Sequence, residues 1–348
     1  MKAPNRFLYS AFWTALCTLI FLSLFWVGHS TFQTRSLKLG SPAELYSTET
    51  NNDLQGTFSQ AIYDAEKSVL LMVYTLKDKR IIQALRNKAD QGIDVRVICD
   101  GNASRGVEKQ LGKKIKLFLR KGKGLMHQKI LSIDGHKVWI GSANMTTASL
   151  KMHGNLVMGF DSPKMAELIK NKFEGMTAEG FINPVPSAEI SVAGQKVELW
   201  FFPDNDDGVE KVKKLIRSAK KSIKVAMFTW TRNDFAQEIA EANHRGVKTE
   251  IVVDRNASAS TNASIINQLF ESSIPVRLSQ GNGLLHHKFM IIDDTILING
   301  STNWTFSAFR KNDECFVVLH DLTADQIYFL NYLWKRIILD SAPFSPNH

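Results

Sequence analysis

Cysteine is scarce in this chain: Cys17, Cys99 and Cys315 form an odd set of three among 348 residues, with no C-x-x-C spacing. That sparseness argues against a disulfide framework and a zinc knuckle. No H-E-x-x-H signature occurs, so the nine histidines offer no such ligand spacing. Acid is in short supply too, 34 Asp and Glu against 43 Lys and Arg, and the formal charge of +9 favours an anionic partner such as nucleic acid, phospholipid or a phosphate ester. The composition excludes collagen, a mini-protein or a disordered tail, and the length suits about two domains with a sizeable core.

One long apolar run is present. Residues 7–27 contain no charged side chain, enough to cross a hydrocarbon layer of about 30 Å as a helix, and Lys2 and Arg6 precede them. A cleavable signal usually has an apolar region of only about 7–15 residues, although Gly28-His29-Ser30 offers small residues for a peptidase. The expectation is a single-pass, uncleaved membrane anchor within residues 1–32 and a body facing away from the cytoplasm, secreted if the segment is cut.

The rest of the chain repeats itself. Ala65-Glu66-Lys67-Ser68-Val69 returns 154 residues later as Ala219-Lys220-Lys221-Ser222-Ile223, and Asp100-Gly101-Asn102 as Asp254-Arg255-Asn256. Farther on the displacement becomes 159, matching Gly122, Gly124, Leu125 and His127 to Gly281, Gly283, Leu284 and His286. Glu44-Leu45-Tyr46 stands 154 residues before Glu198-Leu199-Trp200, which sets the units at 43–175 and 197–340 with a linker at 176–196. Within a unit, the apolar run from Val69 to Tyr74 suits a strand buried on both faces, Ile81, Ile82, Leu85 and Ala89 recur at helical spacing, Gly92 stops the helix, and Val95-Arg96-Val97-Ile98 resumes a strand. Two α/β lobes packed as a pseudo-dimer follow, with a site at their junction.

The strongest chemical signal is His127-x-Lys129-x4-Asp134, then six intervening residues, then Gly141-Ser142-Ala143-Asn144. His286-x-Lys288-x4-Asp293 and Gly300-Ser301-Thr302-Asn303 repeat it in the same register. One H-x-K-x4-D match arises by chance in roughly one chain in fifty of this length, but two in register do not.

On these residues the chain resembles the phospholipase D superfamily, whose signature is two such His-Lys-Asp motifs meeting at one site. The resemblance runs from about Glu44 to the last helix, and the endings Asn144-Met145-Thr146 and Asn303-Trp304-Thr305 are similar to the branch of bacterial nucleases and mitochondrial cardiolipin hydrolases. It implies tandem α/β lobes in a monomer that acts as its own pseudo-dimer, and it excludes the N-terminal span, whose one expected transmembrane helix rests on the uncharged run alone. It also implies a phosphodiesterase that needs neither metal nor cofactor, with His127, Lys129, Asp134, His286, Lys288 and Asp293 as the catalytic set.

Chemistry agrees with the resemblance. One histidine attacks phosphorus to form a phosphohistidine while the other protonates the leaving oxygen and then activates water. The two lysines neutralise oxyanions, and Ser142, Asn144, Ser301 and Asn303 are expected to donate hydrogen bonds to the phosphate. Asn155 and Glu314, each 28 residues beyond its motif histidine, occupy positions where single-motif relatives place a glutamate that orients the imidazole. If each serves the histidine of its own unit, Glu314 favours protonated His286, and Asn155 leaves His127 near the ordinary histidine pKa of about 6.5. His127 is then the nucleophile and His286 the acid. Asp134 and Asp293 are read as orienters of backbone and lysine. His287 points to the opposite strand face and is read as packing, and histidines 29, 136, 153, 244, 320 and 348 as incidental.

Eight basic residues crowd into 105–123 (Arg105, Lys109, Lys113, Lys114, Lys116, Arg120, Lys121 and Lys123) against one acid, Glu108, while the equivalent stretch of the second unit is nearly uncharged. The run suits an anionic headgroup or a nucleic-acid backbone, or is simply a solvated face. Leu125-Met126 and Leu284-Leu285 suggest an apolar lip, which buried strand starts would explain equally well. The reading that follows is a membrane-anchored phospholipid hydrolase releasing phosphatidic acid. The main alternative is a tethered nuclease, disfavoured by the lack of an aromatic-interleaved basic stretch. Phosphatidyl transfer to an alcohol and a silent binding scaffold are weaker alternatives.

Overall fold

The computed structural model describes residues 13–19, 34–177, 182–258 and 260–345. Sixteen strands, numbered along the chain, form two mixed sheets. The first runs in space as β1 (Glu44–Ser47), β7 (Leu156–Asp161), β6 (Lys137–Gly141), β5 (Lys129–Ile133), β2 (Ser68–Val73), β3 (Asp94–Asp100) and β4 (Lys116–Arg120). The second runs β16 (Ser341–Pro343), β12 (Val276–Ser279), β11 (Lys248–Val253), β10 (Ser222–Met227), β13 (Lys288–Ile292), β14 (Ile296–Gly300), β15 (Glu314–Leu319), β9 (Gln195–Phe202) and β8 (Ala188–Val192). Strand order β7-β6-β5-β2-β3-β4 recurs as β15-β14-β13-β10-β11-β12, so the sequence repeat is a repeat of sheet topology.

Local chemistry explains the elements. Parallel β2 and β3 are joined by the helix Lys79–Asp90, whose first amides at Arg80 and Ile81 donate to the Asp78 carboxylate at 3.0 and 3.1 Å. Its buried face is Ile81, Ile82, Ala84, Leu85 and Ala89, and the chain turns out of it through Gly92 at φ +88. The inner faces of the two sheets pack on each other, with Ile140, Met158 and Phe160 sharing one apolar cluster with Leu297, Val317 and Leu319. Each outer face is covered by the helices of its own lobe. Burying a side chain such as Phe160 in that central layer contributes about 1.5–3 kcal/mol.

One expectation changes. The stretch read as a linker, 176–196, carries β8, which pairs antiparallel with β9 and forms the edge of the second sheet. Alternating Ile190 and Val192 are buried there, which is the period a strand needs. Of the apolar segment 7–27, only residues 13–19 fall within the described residues, where they are helical, so the expectation of an anchor falls largely outside them. Among the described residues no helix is long and apolar enough to cross a membrane.

The lobes touch through glycines. A Cβ on Gly124, which has φ +79, would sit 1.9 Å from the carbonyl oxygen of Lys311, and one on Gly283 would sit 2.0 Å from that of Met152. Gly124→Ala is therefore expected to destabilise the protein by about 3 kcal/mol, while Gly281→Ala, which meets open space, changes stability by less than about 0.5 kcal/mol. Paired denaturant melts decide it, and equal midpoints would remove the packing argument.

Candidate active site

Each motif histidine stands just ahead of a strand, and the opposite lobe holds it there. His127 precedes β5, its N–H donates to Asp313 O at 2.8 Å, and Asp313 N returns a bond to Leu125 O at 2.8 Å. On the other side Gly154 N donates to Leu284 O at 2.8 Å, two residues before His286. The repeated aspartates fasten the same segments from within each lobe: Asp100 Oδ2 accepts Met126 N at 3.2 Å, and Asp254 Oδ2 accepts Leu285 N at 2.8 Å.

The side-chain partners cross between lobes. His127 Nδ1 lies 2.8 and 2.9 Å from the two carboxylate oxygens of Glu314, and His286 Nδ1 lies 3.0 Å from Asn155 Oδ1. Pairing within one unit, as expected from the equal 28-residue offsets, is thus reversed: Glu314 serves His127 and Asn155 serves His286. The reason is geometric, because β15 and β7 each start at the lobe junction, facing the other unit's histidine. Asn155 Nδ2 donates to Ser149 O at 2.8 Å, which turns its oxygen toward His286, so that Nδ1–H donates and Nε2 keeps its lone pair. A buried carboxylate fixes His127 in the same tautomer.

Ser142 and Ser301 are committed elsewhere than expected. Ser142 Oγ donates to Asn155 Oδ1 at 2.9 Å and Ser301 Oγ donates to Glu314 Oε2 at 2.5 Å, and neither serine is exposed. They hold the histidines' partners, and a phosphate would not reach them. Asn144 and Asn303 are half-buried, and the oxygen of each amide is buried without a partner, which leaves these side chains uncommitted to the rest of the protein.

Asp134 and Asp293 lie at the far ends of β5 and β13. Asp134 accepts the backbone N–H groups of Glu66, Lys67 and Ser68 at 2.7–3.1 Å, and Asp293 those of Lys220, Lys221 and Ser222 at 2.7–2.8 Å. Burial opposes ionisation there, yet the backbone donors hold both carboxyls below the usual range. Seven residues of nearly extended chain place each roughly 20 Å from its motif histidine. The expectation that they join the catalytic set or orient the lysines is corrected: they latch the strand ends, which also accounts for the repeated Glu66-Lys67-Ser68 and Lys220-Lys221-Ser222 segments.

The lysines do enter the site. Lys129 Nζ donates to the carbonyl of His127 and Lys288 Nζ to that of His286, and both are nearly fully buried. Each ammonium also sits over a ring, 5.4 Å from the centre of Tyr74 and 4.9 Å from that of Phe228. The same rings flank the histidines, 5.1 Å for Tyr74 and His127 and 5.0 Å for Phe228 and His286. Tyr74 and Phe228 are 154 residues apart, so the repeat offset was the signal that could have found them. His153, read as incidental, lies 6.3 Å from the His286 ring, whereas buried His287 bonds Glu49 at 2.5 Å as a packing residue would.

Two histidines and two lysines share this site with one buried carboxylate, Glu314. Burial, with Glu314 opposing, depresses the His127 pKa; burial together with Lys288 and Lys129 depresses that of His286 far more. Burial pushes the Lys129 ammonium down to about 7, and burial with Lys129 beside it takes Lys288 well below the usual lysine range. A phosphodiester anion bound beside them would favour their protonated forms. Arg120 does not belong to the exposed basic run. It is buried 3.0 Å from Asp313, whose carboxyl burial pushes up to about 6, and it donates to Lys123 O at 2.6 Å, fastening the loop that leads to His127.

Comparison with known proteins fits this geometry. Residues 58–177 and 212–331 each match the family described as "Cardiolipin synthase, PLD-like domain", one match per lobe and together more than half of the chain. The mitochondrial cardiolipin hydrolase of Xenopus tropicalis is 28% identical over 147 residues, which are 42% of this chain and 70% of that protein. That of Chlamydomonas reinhardtii is 31% identical over 159 residues, 39% of this chain and 71% of the relative. The crystal structure of phosphatidylserine synthase from Haemophilus influenzae Rd KW20 superposes with a TM-score of 0.70 over 89% of both chains at 15% identity, a likeness of fold. Two family matches lie over the two lobes whose motif histidines meet, and so the chain belongs to the phospholipase D superfamily of phosphoric diester hydrolases, on the branch shared with the cardiolipin hydrolases.

Proposed function

We propose that this protein hydrolyses the headgroup phosphodiester of phospholipids to phosphatidic acid through a covalent phosphohistidine, held at a membrane by its apolar segment 7–27. The observation that carries the mechanism is the unequal pair of crossed contacts, carboxylate to His127 and amide to His286. The relatives named mitochondrial cardiolipin hydrolase support the substrate class.

His127 Nε2 forms a bond to phosphorus as the bond to the leaving oxygen breaks, and protonated His286 gives its Nε2 proton to that oxygen. Neutral His286 then takes a proton from water, the hydroxide attacks phosphorus, the P–N bond breaks, and His127 is restored. The nucleophile remains His127 for a reason different from the one expected. Imidazole bonded to phosphorus becomes cationic, and Glu314 stabilises that charge, whereas a neutral amide cannot. His286, with only an amide behind it, is the more acidic imidazolium and the readier proton donor. Lys129, Lys288, Asn144 and Asn303 are assigned to the phosphate oxygens.

The lysines set a pH signature. Free enzyme loses the Lys129 proton as pH rises through about 7, so kcat/KM is expected to fall above that pH. Bound phosphodiester raises the lysine pKa, so the matching fall in kcat lies at higher pH. Coincident limbs in the two profiles would remove Lys129 from phosphate binding.

The full chain and its His127→Ala variant should be assayed on mixed phospholipid vesicles and on labelled single- and double-stranded nucleic acid, with and without EDTA. Phosphatidic acid released by the wild type alone, at a rate unchanged by the chelator, is the expected outcome. Cut nucleic acid with intact lipid would overturn the substrate, and loss of activity on chelation would overturn the mechanism.

A further inference from the structure

Three large apolar side chains stand exposed on segments next to His127, His153 and Asn303. Leu125, two residues before His127, is 40% exposed, Met152, beside His153, is 63% exposed, and Phe306, three residues after Asn303, is 59% exposed. Of the two leucine-containing lips expected from sequence, only the first residue of each pair emerges: Met126 and Leu285 are buried. These side chains belong to joined loops. Leu125 N donates a hydrogen bond to Asn312 Oδ1 at 3.0 Å, the Lys311 ammonium lies 5.7 Å from the Phe306 ring centre, and the Met152 carbonyl abuts Gly283 in the loop before His286.

Cations share this rim. Lys121, Lys123 and Lys311 are exposed, and among the described residues none pairs with an acid. A nucleic-acid backbone would satisfy the lysines but give Leu125 and Met152 nothing to bury, and among the described residues no ladder of exposed aromatic side chains lies on this rim to stack bases. The headgroup region of a bilayer satisfies both, with phosphates at the ammonium groups and the acyl boundary around the apolar side chains.

We infer that this rim is a docking surface for an anionic phospholipid bilayer, which brings the lipid phosphodiester to the cleft independently of any anchor. The inference rests on the phospholipid reading for its purpose but not for its test. Two of the three cations, Lys121 and Lys123, lie on the first lobe, the third, Lys311, packs against Gly124 in the loop before His127, and residues 255–282 are nearly uncharged. The bilayer is therefore gripped chiefly on the His127 side.

Full-length protein should be incorporated into vesicles of phosphatidylcholine alone or with about one-third phosphatidylglycerol, and amide exchange followed by mass spectrometry. Peptides covering 121–126 and 151–153 are expected to exchange about tenfold more slowly with the anionic lipid. The Met152→Ser/Phe306→Ser variant should lose most of that protection. It should also lose about tenfold in hydrolysis of vesicle lipid while staying within about twofold on a soluble short-chain phosphodiester. Equal exchange in both vesicle types, or full protection in the variant, overturns the docking surface. Protection that persists over lipid the wild type cannot hydrolyse upholds the surface and sinks the phospholipid reading.

Discussion

A His127→Asn enzyme is expected to lose turnover by about 10⁴-fold or more and to carry no phosphorus after mixing with labelled substrate. His286→Asn should lose steady-state turnover to a comparable degree, but not the first half of the reaction. With a leaving group acidic enough to depart without a proton, it should accumulate label on His127, because deacylation-like attack by water then lacks its base. The difference follows from the crossed contacts, since only His127 has a carboxylate to balance the charge of a phosphorylated ring. Acid-labile label mapped by peptide mass spectrometry decides the matter. Label on His286 in the His127→Asn protein would reverse the roles.

Glu314→Gln should lower kcat by about 10³-fold with little change in KM. Glu314 is fully buried and accepts from both His127 and Ser301, so an amide of the same shape turns its NH₂ toward one of two donors. Loss of the negative charge removes the counter-charge of the phosphohistidine, while substrate, which the residue does not touch, binds as before. The misplaced donor should also cost about 1–3 kcal/mol of stability, visible as a lower unfolding midpoint. A kcat within tenfold of wild type would mean that the carboxylate only packs. Because Asn155 already supplies an amide to His286, Asn155→Asp tests the converse, and the smaller the change it produces, the less the two histidines differ in task.

Much of this site was legible in the sequence, and the parts that were not depend on contacts between segments far apart along the chain or around a turn. Periodicity and caps located β2, the helix Lys79–Asp90 and β3, because each is stabilised by its own buried face. Duplicated H-x-K blocks located the histidines and lysines that enter the site, and the G-S-x-N blocks the serines that hold the histidines' partners. Spacing along one unit could not reveal that Glu314 reaches His127, since a 28-residue offset is the same number whether the partner turns inward or across. Asp134 and Asp293 looked catalytic because they travel with the motif, but their positive φ values and three backbone donors belong to a turn. Arg120 looked like its exposed neighbours until burial beside Asp313 set it apart. Ser142 and Ser301 have the right chemistry for phosphate and the wrong neighbours. For Glu314, Asn155 and Arg120 the missing information was which surface of one lobe meets the other, whereas for the aspartates and serines it was the local packing inside their own lobe.

The unequal partners behind the two histidines also bear on why both lobes reside in one polypeptide. Two separate identical subunits sharing a site across a twofold axis would present the same residue behind each imidazole, and any substitution would strike both together. A fused duplicate escapes that constraint: glutamate can persist behind one ring while asparagine replaces its counterpart behind the other. Covalent joining thereby allows symmetric ancestry to end in a division of labour, and it makes neither half sufficient by itself, since each histidine depends for its orientation on the opposite half of the chain.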